Sequence, residues 1–121
     1  MKIFQFNKEY GKQITQYNSY FIMSRIVETK KEAHIGCMYL EENGIIGLHQ
    51  AVIPQLLLIV SGVGYVRGEK NEWFQVRSGD AVYWDKKEWH ETKTDLGLTA
   101  IVIESEEIMP ALMMRLKEKN I

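Results

Sequence analysis

From residue 20 to residue 103 the chain is a series of short β-branched and aromatic runs, each closed by turn punctuation before a helix could complete itself. The runs cover residues 20–27, 33–40, 45–53, 56–60, 62–68, 72–76, 81–84, 89–93 and 98–103. Between them stand turn signals such as Lys30-Lys31-Glu32, Glu41-Glu42-Asn43-Gly44, Arg77-Ser78-Gly79-Asp80 and Asp95-Leu96-Gly97. Residues 62–68 and 72–76 read as a hairpin around Glu69-Lys70-Asn71. Many short strands at close spacing are the signature of an all-β sandwich or barrel. Ahead of them, residues 2–6 alternate like an edge strand and 7–18 read as a polar loop over the barrel.

Bulk properties narrow the function classes. The 121 residues fit one domain, 1–121, with its core barrel over residues 20–104. The 15 basic and 16 acidic residues leave a net charge of −1 and no basic run. Phosphate binding needs a concentrated basic face, so no nucleic acid is expected as partner. A lone cysteine, Cys37, excludes an internal disulfide and fits a reducing cytoplasm. The first residues carry no apolar signal-peptide core, and the longest apolar run, 56–60, is too short to span a bilayer. A cytoplasmic protein without membrane contact is the expectation.

The central stretch holds the candidate chemistry. On one continuous strand the period of two would put His49, Ala51, Ile53, Gln55, Leu57 and Ile59 on one face, with Pro54 marking a bend between sheets. One imidazole and one amide then sit on an apolar, core-facing wall. The opposite face carries Leu56, Leu58 and Val60, each worth about 1.5–3 kcal/mol when buried. That face needs a cover: the C-terminal helix, the N-terminal segment or a second subunit. The helix is read over residues 108–118, where Ile108, Met109, Leu112, Met113 and Leu116 share a helical face and Pro110 suits a first turn. A second histidine, His90, follows the segment Gly79-Asp80-Ala81-Val82-Tyr83-Trp84 and a charged turn. Trp73, Trp84 and Trp89, with Tyr65 and Tyr83, offer an aromatic pocket wall, although most such residues serve as core. His34 reads as a surface strand residue, and Asp80 as a cap on its turn.

These residues resemble the cupin family of double-sheet jelly rolls. The family's first motif, G-x5-H-x-H-x3,4-E-x6-G, is met by His49 and by Gly62, which follows Gln55 after six residues. Its second motif, G-x5-P-x-G-x2-H-x3-N, is met by Gly79 and His90. Ala51 stands at the second motif histidine and Gln55 at the motif glutamate. Asp85, Lys87 and Thr94 replace the second motif's Pro, Gly and Asn, and Gly44 lies one residue nearer to His49 than the pattern asks. Metal-binding cupins hold Fe, Mn, Ni or Zn with three His and one Glu. The resemblance therefore implies a metal set reduced to His49, His90 and Gln55, in which an uncharged amide replaces the anionic ligand. Small cupins often pair, so a homodimer is expected as well.

Three functions follow as expectations. The leading one is a small-molecule-binding barrel whose apolar pocket carries His49, Gln55, His90, Trp84 and Tyr83. The alternative is a metal-dependent dioxygenase or isomerase using His49 and His90. The third rests on similarity to the effector-binding halves of arabinose-type transcription regulators: a ligand sensor without a DNA-binding module.

Overall fold

The computed structural model describes residues 1–117. Its strands are β1 (Lys2–Gln5), β2 (Lys12–Ile14), β3 (Phe21–Met23), β4 (Ala33–Leu40), β5 (Ile45–Gln50), β6 (Gln55–Arg67), β7 (Phe74–Arg77), β8 (Asp80–Trp84), β9 (Trp89–Lys93), β10 (Leu98–Ser105) and β11 (Arg115–Leu116). One layer runs β11-β1-β8-β6-β10-β4 and the facing layer β5-β9-β6-β7, with every pairing antiparallel. This is the all-β jelly roll that the short runs called for.

β6 belongs to both layers. Residues 55–58 lie between β8 and β10, whereas residues 63–67 pair with β7 and β9. The crossing is made by a bulge, since Ala100 pairs with Ile59 but Thr99 with Ser61. An extra residue on one strand bends it and increases its twist. Gly62 completes the corner at φ +85°, where a side chain would collide with the Gly97 carbonyl oxygen. The corner therefore falls at residues 60–62 and not at Pro54. Pro54 instead ends a short excursion after β5, its carbonyl accepting the Ser105 N–H at 3.3 Å. The strand expected over 45–53 stops at Gln50, because Ala51 turns its backbone groups to Glu88 and Lys87, at 2.9 and 2.8 Å.

Period-two alternation divides the apolar residues into two clusters. Ile3, Leu57, Ile59, Val66, Val76, Val82, Trp84, Leu98, Ala100 and Val102 fill the space between the layers. Phe4, Leu56, Leu58, Ala81 and Ile103 face the other way and are covered by Ile26, Val27, Ile108 and Met114. The N- and C-terminal segments of the same chain thus cover Leu56 and Leu58, while Val60 stays half exposed. The aliphatic outer face does not require a second subunit.

Two local expectations are corrected. The C-terminal amphipathic helix is absent over the described part of residues 108–118: Pro110–Leu112 form a single 3-10 turn and β11 follows, pairing Phe4 with Leu116. Residue 118 lies outside the described residues. Burial here goes to Ile108 and Met114, while Met109 and Leu112 are exposed, so the helical apolar stripe has no surface to lie on. A docking site for an extended segment beside β1 outweighs weak helical periodicity. Likewise residues 20–27 form no barrel strand. Only Phe21–Met23 is extended, and it pairs with Lys12–Ile14 inside the expected loop to make a separate two-stranded sheet.

Candidate functional site: a small cavity between the layers

His49 on β5 and His90 on β9 are direct cross-strand partners. Their ring centroids lie 4.2 Å apart with the planes inclined at 54°. Trp84 comes from the opposite layer and places its ring 4.7 Å from that of His90. Beside Trp84 in register lies Gln55, and beside Gln55 lies Glu104, so β8, β6 and β10 contribute one side chain each to a row. These five residues, with Met38 and Ile46, line a cavity of about 120 Å³. His49 and Gln55 reach it from different layers, brought together by the turn at 51–54 and not by a shared strand face.

The two histidines differ in setting. His90 is 2 % exposed, and its Nε2 has no partner among the described residues. Burial first, and the neighbouring His49 second, lower its pKa to about 4, with Glu88 opposing. At neutral pH His90 is therefore an uncharged imidazole. His49 is exposed at the mouth, and its Nδ1–H donates to the Gly47 carbonyl at 2.7 Å. A carbonyl can only accept, so this bond fixes a proton on Nδ1. The buried Trp84 Nε1–H is also without a partner among the described residues. A close-packed interior seldom holds two such nitrogens on one cavity, since each unmade bond costs about 1–3 kcal/mol.

The carboxylates next to His90 in sequence are engaged elsewhere. Glu91 faces away and binds Arg67 at 2.8 Å, while Glu88 accepts from the Met1 ammonium and from the Asp85 N–H. Among the described residues no group of three or more His, Cys, Asp or Glu stands close enough to hold a metal ion. His49, His90 and Gln55 are the donors the family motifs point to; the Glu104 carboxyl lines the same cavity but completes no such group with them. The two imidazoles and the amide by themselves lack the charge neutralisation that a carboxylate ligand gives a divalent cation, so they do not fit a tight metal site.

The remaining candidates separate cleanly. Tyr83 neighbours Trp84 on β8, points to the opposite face and packs on the outer cluster. Its hydroxyl pKa is pushed up to about 12 by burial and then by Asp85. Tyr83 is therefore not a cavity residue. Trp73 lies beneath the Lys93 ammonium at 4.1 Å and Trp89 is partly exposed, so Trp84 alone of the three tryptophans lines the cavity. His34 is exposed beside Glu32 at 3.4 Å. Asp80 accepts the Arg77 N–H at 3.0 Å and so caps its turn. Sequence reasoning missed Glu104. The last run was ended at residue 103, yet Glu104 continues the inward parity of Leu98, Ala100 and Val102.

Neither a family model nor a curated protein matches the sequence. Solved structures do match its shape. A cupin superfamily protein from Desulfitobacterium hafniense superposes with a TM-score of 0.58 at 10% identity, over 66% of this chain and 72% of that one. An RmlC-like cupin from Shewanella frigidimarina gives a TM-score of 0.58 at 15% identity, over 65% and 70%. A cupin-2 domain containing protein from the same organism gives 0.55 at 11% identity, over 67% and 78%. The chain has the cupin fold. Among its described residues no helix is long and apolar enough to cross a membrane.

Proposed function

We propose that this small cupin-fold domain binds a compact, uncharged, oxygen-bearing molecule in the cavity between its layers. The observation that carries the reading is the pair of buried, unpartnered nitrogens, Trp84 Nε1 and His90 Nε2, on two side chains that border the cavity from opposite layers. Volume limits the ligand. About 120 Å³ holds on the order of four waters at about 30 Å³ each, far below the roughly 300–1,000 Å³ of drug-sized pockets. Charge limits it further. Among the described residues no lysine or arginine lines the cavity, His90 is neutral, and Glu104 contributes a carboxyl group, all unfavourable to an anion. The indole N–H needs a carbonyl or hydroxyl oxygen, and Glu104 suits a hydroxyl donor on the same molecule. Small hydroxyketones and short polyols meet these conditions.

Calorimetric titration with such molecules, set against carboxylates of equal size, tests the reading. Binding of the neutral set, weakened about tenfold in Trp84→Phe for loss of one buried hydrogen bond, is the expected result. Binding of the carboxylates alone overturns it. Glu104 favours a second reading, a metal-free proton-transfer catalyst in which the His49 Nε2 lone pair accepts a proton α to a carbonyl. Solvent deuterium entering a hydroxyketone at that carbon, abolished in His49→Gln, would distinguish catalysis from binding. A divalent metal, if held at all, would rest on His49, His90 and Gln55.

A further inference from the structure

The small sheet of β2 and β3 stands apart from the two layers and walls a groove of its own. In it Lys12 lies opposite Met23, and both side chains line the groove. The chain enters β2 through Gly11, where a side chain would collide with Ile22 and with the Met23 carbonyl oxygen, so the turn sits close against β3. Two hollows, of about 530 and 360 Å³, adjoin across Tyr10, Arg25 and Met113, which line both. The first also takes in Lys12, Gln13 and Thr15, the second Arg115. Each falls within the roughly 300–1,000 Å³ of small-molecule sites, unlike the cavity between the layers.

Charge sets this groove apart. Lys12, Arg25 and Arg115 line it, and among the described residues no aspartate or glutamate does. Glu9, next in sequence to Tyr10, is exposed and lines neither hollow. In a chain of net charge −1, three cations without a carboxylate are a local excess. Among the described residues none of the three is in a salt bridge, whereas Arg67 and Lys117 each hold a carboxylate. Arg115 is held instead over the Tyr10 ring, its guanidinium carbon 4.9 Å from the centroid. A guanidinium already held in place loses less freedom when it grips an oxyanion. We infer that this groove is a second binding site, for a metabolite-sized polyanion carrying two or more phosphate or carboxylate groups. Arg25, common to both hollows, takes one oxyanion, Lys12 and Arg115 take groups to either side of it, and the Gln13 amide and Thr15 hydroxyl bond the body of the molecule. Phosphate and carboxylate offer a guanidinium the same forked pair of oxygens. A nucleic-acid strand would need a broader basic face than three cations provide. The inference stands on the groove alone and holds whatever the cavity between the layers binds.

Titration with pyrophosphate and with citrate, followed in spectra of protein carrying nitrogen-15, tests the site. At least one of the two should shift the Gly11, Lys12 and Arg25 amide signals and saturate them at about millimolar concentration or below, while the Trp84 indole signal stays still. Tighter binding of pyrophosphate assigns the site to phosphates, tighter binding of citrate to carboxylates. Arg25→Ala should weaken binding about tenfold, and Lys12→Ala or Arg115→Ala about threefold each. Lys30→Ala with Lys31→Ala, outside the groove, should change it less than about twofold. All these side chains are exposed, so the variants should keep the parent's melting temperature. No saturation by either anion up to about 10 mM, Arg25→Ala weakening binding no more than the paired lysine control, Trp84 shifting with the same midpoint, or tighter binding of a single-stranded oligonucleotide would overturn the proposal.

Discussion

The two ends of the space between the layers are built from neighbouring stretches of the same strands and finished differently. Around Val66, Val76 and Leu98 the space is filled with buried aliphatic side chains. Around Trp84, His90, Gln55 and Glu104 it is left open and lined by polar side chains, two of which hold a buried, unpartnered nitrogen. The first end holds the barrel together; the second gives up stability for a cavity. Polar atoms left without partners beside a well-packed core mark a place where something else is meant to supply them.

Mutation should break the comparison in opposite directions. Ile59→Ala at the filled end should destabilise by about 2–5 kcal/mol in denaturant unfolding, since a fully buried side chain leaves a void behind. At the open end, His90→Leu replaces an unpartnered imidazole by an apolar group of similar bulk. It should leave stability unchanged or raise it by about 1 kcal/mol, while abolishing ligand binding. Equal losses in the two variants would erase the distinction between the ends.

Acidification sharpens the contrast. The folded-state pKa of His90, about 4, lies below its unfolded value, so the unfolded chain binds more protons between the two. The contribution is fully present above about pH 6.5 and is lost as pH falls towards 4, where the loss levels off. Allowing for solvent at the exposed His49 side, the loss is roughly 1–2 kcal/mol. It should vanish in His90→Leu and persist in Ile59→Ala. The smallest effect is expected from metal: millimolar zinc or nickel should raise the melting temperature by no more than about 1 °C, because two imidazoles and an amide hold such ions weakly.

Much of this was legible in the sequence. Turn punctuation and β-branched runs gave the all-β architecture, and two motif glycines mark backbone that needs positive φ, +85° at Gly62 and +98° at Gly79. The register of two motifs singled out His49 and His90, and the pairing of β5 with β9 is what brings their rings together. What stayed hidden depended on contacts distant in sequence. Local periodicity put a helix at 108–118, whereas the open side of β1 drew Arg115–Leu116 into a strand. Pro54 looked like the corner, but a bulge, which leaves no mark in composition, took that role at residues 60–62. Glu104 was missed because a charged residue at the end of an apolar run reads as a loop, and Tyr83, grouped with the other aromatic residues as a pocket wall, packs instead on the outer face of β8.

The most direct test watches the Trp84 indole N–H. In an amide and indole correlation spectrum of protein carrying nitrogen-15, adding a small hydroxyketone should shift the Trp84 signal by far more than those of Trp73 and Trp89, and saturate. A Trp84 signal that stays still up to about 10 mM of every small neutral oxygenated molecule, or that moves no more than the two surface tryptophans, would contradict the account.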